Sequence, residues 1–284
     1  MTLPPGFTEQ PAELLRVGAG FSLAAQPCDA SPGFDGKKAQ GAAALAERAT
    51  VLSELQEQLF AESRFDGKRS VLLILQAMDT AGKGGIVGKV VGAVDPQGVK
   101  LTSFKAPTDE EKAHDFLWRI RPATPGHGML GVFDRSHYED VLIHRVHGWA
   151  DEAEIERRYD AINAFETELA EAGTTVVKVM LNISPEQQLE RLTARLHDPT
   201  KYWKYNPSDL DERQHWPAYM DAYQKVFDKT STPHAPWHVV PADKKWYARL
   251  AVQEILINAL QGLDLKWPTG DFDLAHERTR LKDA

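Results

Sequence analysis

The chain has 284 residues, of which 42% are hydrophobic and 26% charged, and its formal net charge is −8. These values are typical of a soluble globular protein, and they argue against a protein that coats nucleic acids, because such proteins are usually basic. The single cysteine, Cys28, excludes an internal disulfide and a cysteine-based zinc site, so we expect a cytoplasmic protein. The first ten residues lack the features of a secretory signal, and no apolar run is long enough to span a bilayer, so we expect no membrane partner.

Apolar strands and helical patterns alternate along most of the chain. Residues 1–38, rich in Pro, Gly and small side chains, predict an N-terminal extension, and residues 39–284 predict the main domain. Strands are predicted at 71–78, 99–104, 128–134, 174–183 and 237–241. Helices are predicted at 38–63, 85–94, 109–120, 151–171, 184–196, 209–227 and 244–260. This alternation predicts an α/β fold with a mainly parallel five-stranded sheet, in which ligands bind at the carboxyl ends of the strands.

The first predicted strand runs directly into a turn of small residues that carries one lysine, Lys83. Such a turn between a buried strand and a helix is typical of a phosphate-binding loop, because its backbone N–H groups close around phosphate oxygens. The lysine supplies a point charge for the outer phosphates. We therefore predict phosphate contacts from the small residues of the loop, which are Ala81, Gly82, Gly84 and Gly85.

This loop departs from the usual pattern of ATP-binding loops at three positions. Ala77 replaces the first glycine, and Gly84 replaces the hydroxyl residue that normally binds the metal ion. Asp79 lies inside the loop, where it would repel phosphate unless a metal ion or a proton intervened. The departures argue against an ordinary ATPase, and the alternative is a glycine-rich turn of the kind found in many α/β proteins.

A second candidate segment follows the third predicted strand. Asp134 closes that strand in the arrangement of a Walker B acid, whose carboxylate holds Mg²⁺ directly or through water. Arg135 follows at once and could grip phosphate oxygens with two N–H groups. The alternatives are a helix N-cap for Asp134 and a surface ion pair for Arg135. Glu139 and Asp140 are candidates for nucleotide contacts, or else favourable acids in the first turn of a helix.

A third candidate segment is basic, which is unexpected in an acidic chain. Arg191 and Arg195 lie four residues apart on one helix face, and Lys201 and Lys204 follow a proline-marked break. These side chains would suit a lid, at about residues 193–229, that closes over phosphates and excludes water. The alternative is a solvated helix face.

Three further residues are candidates for substrate contacts. Phe104, at the end of the second predicted strand, could stack on a nucleobase, although a phenylalanine at such a position is more often part of the core. Lys105 and Lys89 are candidates for contacts along the phosphate path.

Taken together, the segments 78–85, 133–140 and 198–204, with Trp216 and Tyr219, resemble the polyphosphate kinase 2 family over roughly residues 40–262. The resemblance implies a three-layer α/β/α P-loop kinase-like fold with a helical lid. It implies reversible, Mg²⁺-dependent transfer of the terminal phosphate of inorganic polyphosphate to adenine or guanine nucleotides, with Mn²⁺ as a possible substitute. It also implies a homo-oligomer, either a dimer or a tetramer. The acidic net charge and the loop argue against a nucleic-acid partner.

The resemblance assigns roles to individual residues. The catalytic positions of the family match four residues of this chain, and the metal ligands among them would be the two aspartates. These catalytic residues are Asp79, Lys83, Asp134 and Arg135. Glu139 stands where members restricted to nucleoside diphosphates tend to have asparagine, so the chain looks more like the group that accepts both AMP and ADP.

Two other functions remain open from the sequence. An ATP-dependent nucleoside monophosphate kinase would share the fold, the metal and the lid, but such kinases normally keep the first glycine and the hydroxyl residue of the loop. A non-catalytic phosphate-binding protein is the second alternative, and the presence of all four candidate catalytic residues argues against it.

Overall fold

The structure is a computed structural model that describes residues 3–282 and 284. Its strands are Ser70–Ala77 (β1), Val99–Ser103 (β2), Leu130–Asp134 (β3), Thr174–Asn182 (β4) and Trp237–Pro241 (β5). Its α-helices are Pro11–Leu14 (α1), Lys38–Glu62 (α2), Lys83–Lys89 (α3), Asp109–Lys112 (α4), Ile143–Val146 (α5), Glu152–Glu171 (α6), Pro185–Leu196 (α7), Ser208–Glu212 (α8), Trp216–Thr230 (α9), Lys245–Gln261 (α10) and Leu274–Arg280 (α11). Short 3₁₀ helices connect several of these elements.

All five strands are parallel and lie in the order β2-β3-β1-β4-β5. The side chains of β1 are buried along nearly the whole strand, because helices cover both faces of the sheet. Helices α2 and α10 pack against each other, and so do α6 and α9. The predicted α/β fold with a mainly parallel five-stranded sheet is therefore confirmed.

The strand order explains where a ligand site can form. β1 lies between β3 and β4, and the chain returns to opposite sides of it, which creates the crevice at which such sheets bind ligands. In the register of the sheet, Asp134 of β3 lies opposite both Leu75 of β1 and Ser103 of β2. The segments that follow β1 and β3 therefore emerge next to each other at the carboxyl edge.

Helix α10 is buried along most of its length because it packs against both α2 and the sheet. It does not resemble a membrane span, and among the residues that the structure describes no helix has the length and apolar character needed to cross a bilayer.

The predicted helix 109–120 is wrong beyond its first turn. Helix α4 begins with a capping box between Thr108 and Glu111 but ends at Lys112. The carboxylate of Asp115 accepts the N–H of Leu117 at 3.1 Å, a local turn that competes with the helix. At 209–227 the predicted single helix is divided into α8 and α9 by a 3₁₀ turn. The helix predicted at 85–94 is the shorter α3, which ends at Lys89 and is followed by a 3₁₀ helix at Val91–Ala93.

The N-terminal segment, residues 3–37, covers the outer edge of β5. The N–H of Val17 donates to Trp237 O at 2.8 Å, and the N–H of Val239 donates to Leu15 O at 2.9 Å. The side chains of Leu15 and Leu23 are buried. An exposed strand edge invites pairing with other chains, so this contact protects the sheet while adding to its core.

Candidate active site

The segment between β1 and α3, the candidate phosphate-binding loop, is a tight turn with positive φ angles. Thr80 has a φ of 63° and Gly82 a φ of 127°, and the latter angle favours glycine. The N–H groups of Gly85 and Ile86 both donate to Gly82 O, at 2.8 and 3.1 Å, which starts helix α3. Within the described part of the chain, a Cβ added at Gly82 or Gly84 would meet no heavy atom within 4 Å, so both positions face open space.

Lys83 lies at the start of α3 with its side chain turned back over this loop. Its Nζ donates to Ala77 O at 3.3 Å, at the end of β1. The ammonium group is only partly buried. Lys83 therefore lies where the phosphate-loop prediction needs a cation.

The second candidate segment meets the loop through one ion pair. Arg135 Nη2 donates to Asp79 Oδ1 at 2.9 Å, and the two side chains remain 41% and 27% exposed. Burial opposes the charge of the guanidinium, but the carboxylates of Glu139 and Asp79 outweigh this effect and raise the pKa of Arg135. Arg135 is thus a permanent cation that is partly accessible to an anionic ligand. The ion pair that was the alternative role for Arg135 is present, and its partner is the acid inside the loop; contact between Arg135 and phosphate stays a prediction.

Asp134 ends β3 at the same edge of the sheet. It does not serve as the N-cap that was the alternative role, because the Oγ of Ser136 caps the following 3₁₀ helix, His137–Val141, by accepting the N–H of Tyr138 at 3.2 Å. The N–H of Arg135 donates to Leu75 O at 3.1 Å, which anchors the turn after Asp134 to β1.

The two candidate metal ligands lie at the ends of neighbouring strands, since Asp134 is the last residue of β3 and Asp79 comes shortly after β1. Carboxylate oxygens suit Mg²⁺, which is usually held by one or two carboxylates and completes its shell with water and substrate phosphates. Among residues 3–282 and 284, no group of three or more His, Cys, Asp or Glu side chains could hold a metal ion by itself. The donor set therefore fits a metal ion that is shared with a phosphate substrate better than a permanently caged one.

Arg191 of α7 lies beneath the loop rather than on the open side. Its buried guanidinium donates to Thr80 O at 3.0 Å, Ala81 O at 2.8 Å, Ala242 O at 2.7 Å and Asp243 O at 2.8 Å. These bonds tie the loop to the segment after β5. The structure thus gives Arg191 a supporting role, and direct contact between Arg191 and phosphate stays a prediction.

Two residues of this support were not identified from the sequence. Gln188 Nε2 donates to Asp79 O at 3.1 Å, and Arg213 Nη1 donates to Gln188 Oε1 at 2.9 Å. Gln188 lies three residues before Arg191, on the same face of α7. That helical spacing was the available signal, but a neutral glutamine does not stand out in a search for phosphate-binding cations.

The remaining basic residues of the predicted lid lie farther out. Arg195 Nη1 donates to Lys204 O at 2.7 Å and to Asp209 Oδ2 at 3.1 Å. Lys201 pairs with Asp198, and both Lys201 and Lys204 are exposed. Contacts of these side chains with polyphosphate stay predictions.

The prediction that Phe104 stacks on a nucleobase is not supported. Phe104 is 8% exposed and packs edge-on against Phe133, with ring centroids 5.0 Å apart, because it enters the core directly after β2. Lys105 is exposed, and its carbonyl accepts a hydrogen bond from Arg119 at 2.8 Å. Lys89 is exposed in the last turn of α3.

Glu139 and Asp140 differ in their surroundings. Glu139 is partly exposed and close enough to Arg135 to raise its pKa. Asp140 is buried, with His144 Nε2 at 3.5 Å and Arg158 Nη1 at 3.9 Å from its Oδ1. Burial raises the pKa of Asp140 to about 6 despite the charge of Arg158. Glu139 is thus the better placed of the two for a nucleotide contact.

Comparisons with known proteins show which family the chain resembles along its length. A family model described as Polyphosphate kinase 2 matches residues 35–267. The chain is 42% identical over 248 residues to an AMP/ADP-polyphosphate phosphotransferase of Meiothermus ruber, covering 87% of this chain and 91% of that protein. It is 39% identical over 267 residues to an ADP-polyphosphate phosphotransferase of Rhodopseudomonas palustris, covering 89% and 91% of the two chains.

A solved structure from the same family also matches the chain. The crystal structure of polyphosphate kinase 2 from Arthrobacter aurescens TC1 superposes on this chain with a TM-score of 0.97 and 65% sequence identity, covering 98% of each chain. The likeness therefore extends through the N-terminal segment as well as the sheet.

Proposed function

We propose, from the premise that this chain belongs to the polyphosphate kinase 2 family, that it transfers the terminal phosphate of inorganic polyphosphate to AMP and ADP, forming ADP and ATP, in a reversible reaction. Membership follows from the family match over residues 35–267 and confirms the resemblance noted in the sequence. The observation that carries the proposal for the site is the contact of Arg135 with Asp79, which joins the two candidate catalytic segments at one edge of the sheet.

The main barrier to this reaction is the repulsion between two polyanionic substrates. Lys83 and Arg135 would stabilise the charge on the transferred phosphoryl group, because phosphoryl transfer depends mainly on positioning and charge stabilisation. Asp134 and Asp79 would hold Mg²⁺, or Mn²⁺ in its place, and the bound ion would neutralise phosphate charge. The predicted lid at residues 193–229 would exclude water, which otherwise competes as acceptor.

The form of the loop favours polyphosphate over ATP as donor. Gly84 stands where ordinary P-loop kinases carry the metal-binding hydroxyl, and Ala77 stands where they carry glycine. The alternative is an ATP-dependent nucleoside monophosphate kinase. Purified protein supplied with Mg²⁺, AMP and polyphosphate, without ATP, distinguishes the two. Formation of ADP supports our proposal, whereas activity only when ATP replaces polyphosphate supports the alternative.

The acceptor range is the second part of the proposal. Glu139 lies close to Arg135. Its negative charge can therefore influence whether the site prefers AMP or the more highly charged ADP as acceptor. We expect Glu139→Asn to lower the kcat/KM for AMP more than that for ADP. Equal loss for both acceptors would contradict a role of Glu139 in acceptor choice. The same assays with GMP and GDP test whether guanine nucleotides are accepted.

Assembly and location complete the proposal. The resemblance implies a dimer or a tetramer, and we propose the same for this chain. Light scattering after size exclusion measures the mass in solution, and a monomeric mass would contradict this part. Cytoplasmic residence stays a prediction that rests on the single cysteine.

A further inference from the structure

A fully buried ion pair lies behind the candidate active site. Lys178 Nζ donates to Glu166 Oε2 at 2.6 Å, to the hydroxyl of Tyr138 at 2.9 Å and to Thr230 O at 2.7 Å. The Tyr138 hydroxyl donates to Glu166 Oε1 at 2.8 Å. All four residues are 0% exposed. We call Tyr138, Glu166, Lys178 and Thr230 the buried network.

Burying this network in the core carries a cost in free energy. Removing two charges from water costs free energy, and a protein with apolar side chains of similar size in their place is often at least as stable. Burial raises the pKa of Glu166, but the charge of Lys178 together with the hydrogen bonds and charge of His137 and Lys178 leaves this pKa lowered, whereas burial lowers the pKa of Lys178 despite the charge of Glu166. All three N–H groups of Lys178 are used. A fully hydrogen-bonded network of this kind fixes the positions of its members, and we take this effect, rather than added stability, to be its role.

The position that it fixes is the turn carrying Arg135. Tyr138 follows Arg135 by three residues, and the backbone of Arg135 itself is left-handed, with a φ of 64°. His137, between them, is fully buried, lies with its Nε2 3.5 Å from Glu166 Oε1 and packs edge-on against Phe165. The inner side of this turn is therefore held by side chains of α6 and β4, while its outer side presents Arg135 to the site.

The network also reaches the helix that returns from the predicted lid. Thr230 is the last residue of α9, and its Oγ1 accepts the indole N–H of Trp237 at 3.0 Å. Lys178, whose ammonium group contacts Thr230 O, lies opposite Ile74 of β1 in the sheet. One buried lysine thus connects the central strands, the Arg135 turn and the end of α9.

We propose that Tyr138, Glu166 and Lys178 are positioning residues that hold the Arg135 guanidinium in the orientation required for phosphoryl transfer. The inference rests on the proposed function for its kinetic readout only. The simpler reading, in which the network merely stabilises the core, predicts a loss of stability with no specific effect on turnover.

The test is Tyr138→Phe, which removes one hydroxyl and keeps the ring and the ion pair. We expect kcat to fall about tenfold or more, because small misplacements of a catalytic group are costly, while the KM values for polyphosphate and nucleotide stay within about twofold. The control is Tyr247→Phe, which removes the single hydrogen bond of another buried tyrosine, to Pro32 O at 2.8 Å, outside this site. Tyr138→Phe removes two hydrogen bonds, so we expect the control to lose less stability and to keep its kcat.

A second variant removes both charges of the buried ion pair, so that neither is left without its partner. Lys178→Met combined with Glu166→Gln keeps side-chain size, and we expect a folded protein with the same loss of kcat. If this double variant does not fold, Tyr138→Phe decides alone. Turnover within twofold of the parent protein in Tyr138→Phe, with the expected loss of stability, would overturn the proposal.

A readout independent of turnover separates this inference from the proposed function. Guanidinium ¹⁵N signals of Arg135, assigned with Arg135→Lys, should shift in Tyr138→Phe and stay unchanged in Tyr247→Phe. Unchanged Arg135 signals in both variants would overturn the positioning role. A parent protein that does not use polyphosphate would overturn only the proposed function, and the same NMR comparison would still decide this inference.

Discussion

The guanidinium of Arg135 and the carboxylate of Asp79 are 2.9 Å apart although 56 positions separate them in the chain. The pair would explain how the candidate phosphate-binding loop tolerates an acid, since the charge that would repel phosphate is balanced by an arginine from the neighbouring strand end. It also places a cation that can turn from Asp79 toward an incoming phosphate.

Asp79→Asn tests this pair. We expect turnover to fall by about 100-fold, because the loss of one charge at such a site commonly costs a few kcal/mol of transition-state stabilisation. If Asp79 also holds the metal ion, the Mg²⁺ concentration for half-maximal rate rises. Asp95→Asn, which alters a carboxylate that caps a 3₁₀ turn, is the control and should leave both quantities unchanged. Initial rates over a Mg²⁺ series measure the effect, and parental values for Asp79→Asn would contradict the role.

Arg191→Lys should lower the thermal stability and the turnover of the protein more than Arg195→Lys does. A lysine cannot reach the four carbonyls that the buried Arg191 guanidinium contacts, and each unmet buried acceptor costs about 1–3 kcal/mol. Arg195 contacts Lys204 O and Asp209 near the surface, so a lysine there keeps most of the interaction. The unfolding temperature and the turnover should both fall more for Arg191→Lys than for Arg195→Lys. The reverse order would refute the supporting role of Arg191.

Asp140→Asn should change how stability depends on pH. Burial raises the pKa of Asp140 from 3.8 to about 6, so the folded chain binds the proton more tightly than the unfolded one. The free energy of unfolding therefore falls, through this group, as pH rises from about 4 to 6, by at most about 3 kcal/mol. The variant lacks this fall, so its stability relative to the parent should increase over that window and level off above it. Denaturant unfolding at several pH values measures this, and parallel profiles would contradict it.

Leu15→Ala should destabilise the protein by about 2–5 kcal/mol, because it opens a cavity where the N-terminal segment covers β5. The control is Leu3→Ala, at a leucine that is 49% exposed and should change little. Chemical unfolding of both variants gives the two free energies. Equal, small effects would mean that the N-terminal segment contributes no packing to the fold.

The strands and the site-forming loops could be predicted because their signals are local. Continuous apolar runs such as Val71–Leu75 mark strands covered on both faces, and a buried strand followed by an acid or a glycine-rich turn marks the carboxyl edge. The fold class and the strand positions were confirmed on that basis. The strand order then explains why Asp79 and Asp134 lie at neighbouring strand ends. The sequence suggests this strand order only through its family resemblance.

What could not be predicted depends on partners without a sequence signature. The acceptors of Arg191 are backbone carbonyls, which every residue has, so the sequence does not distinguish a supporting arginine from a phosphate-binding one. Phe104 could be read either as a base-stacking or as a core residue until its contact with Phe133 was known. Lys178 did carry a signal, since a lysine inside the apolar strand β4 requires a buried partner, but the partner, Glu166, lies on another element.

The most direct measurement follows the phosphate itself. Polyphosphate labelled with ³²P in its terminal phosphate is incubated with unlabelled AMP and Mg²⁺, without ATP, and the products are separated. We predict that the label appears in the β-phosphate of ADP, and that Lys83→Ala and Asp134→Asn, although folded, slow this transfer about 100-fold or more. Label that remains in polyphosphate or appears only as free phosphate, or near-normal transfer by either variant, would contradict the account.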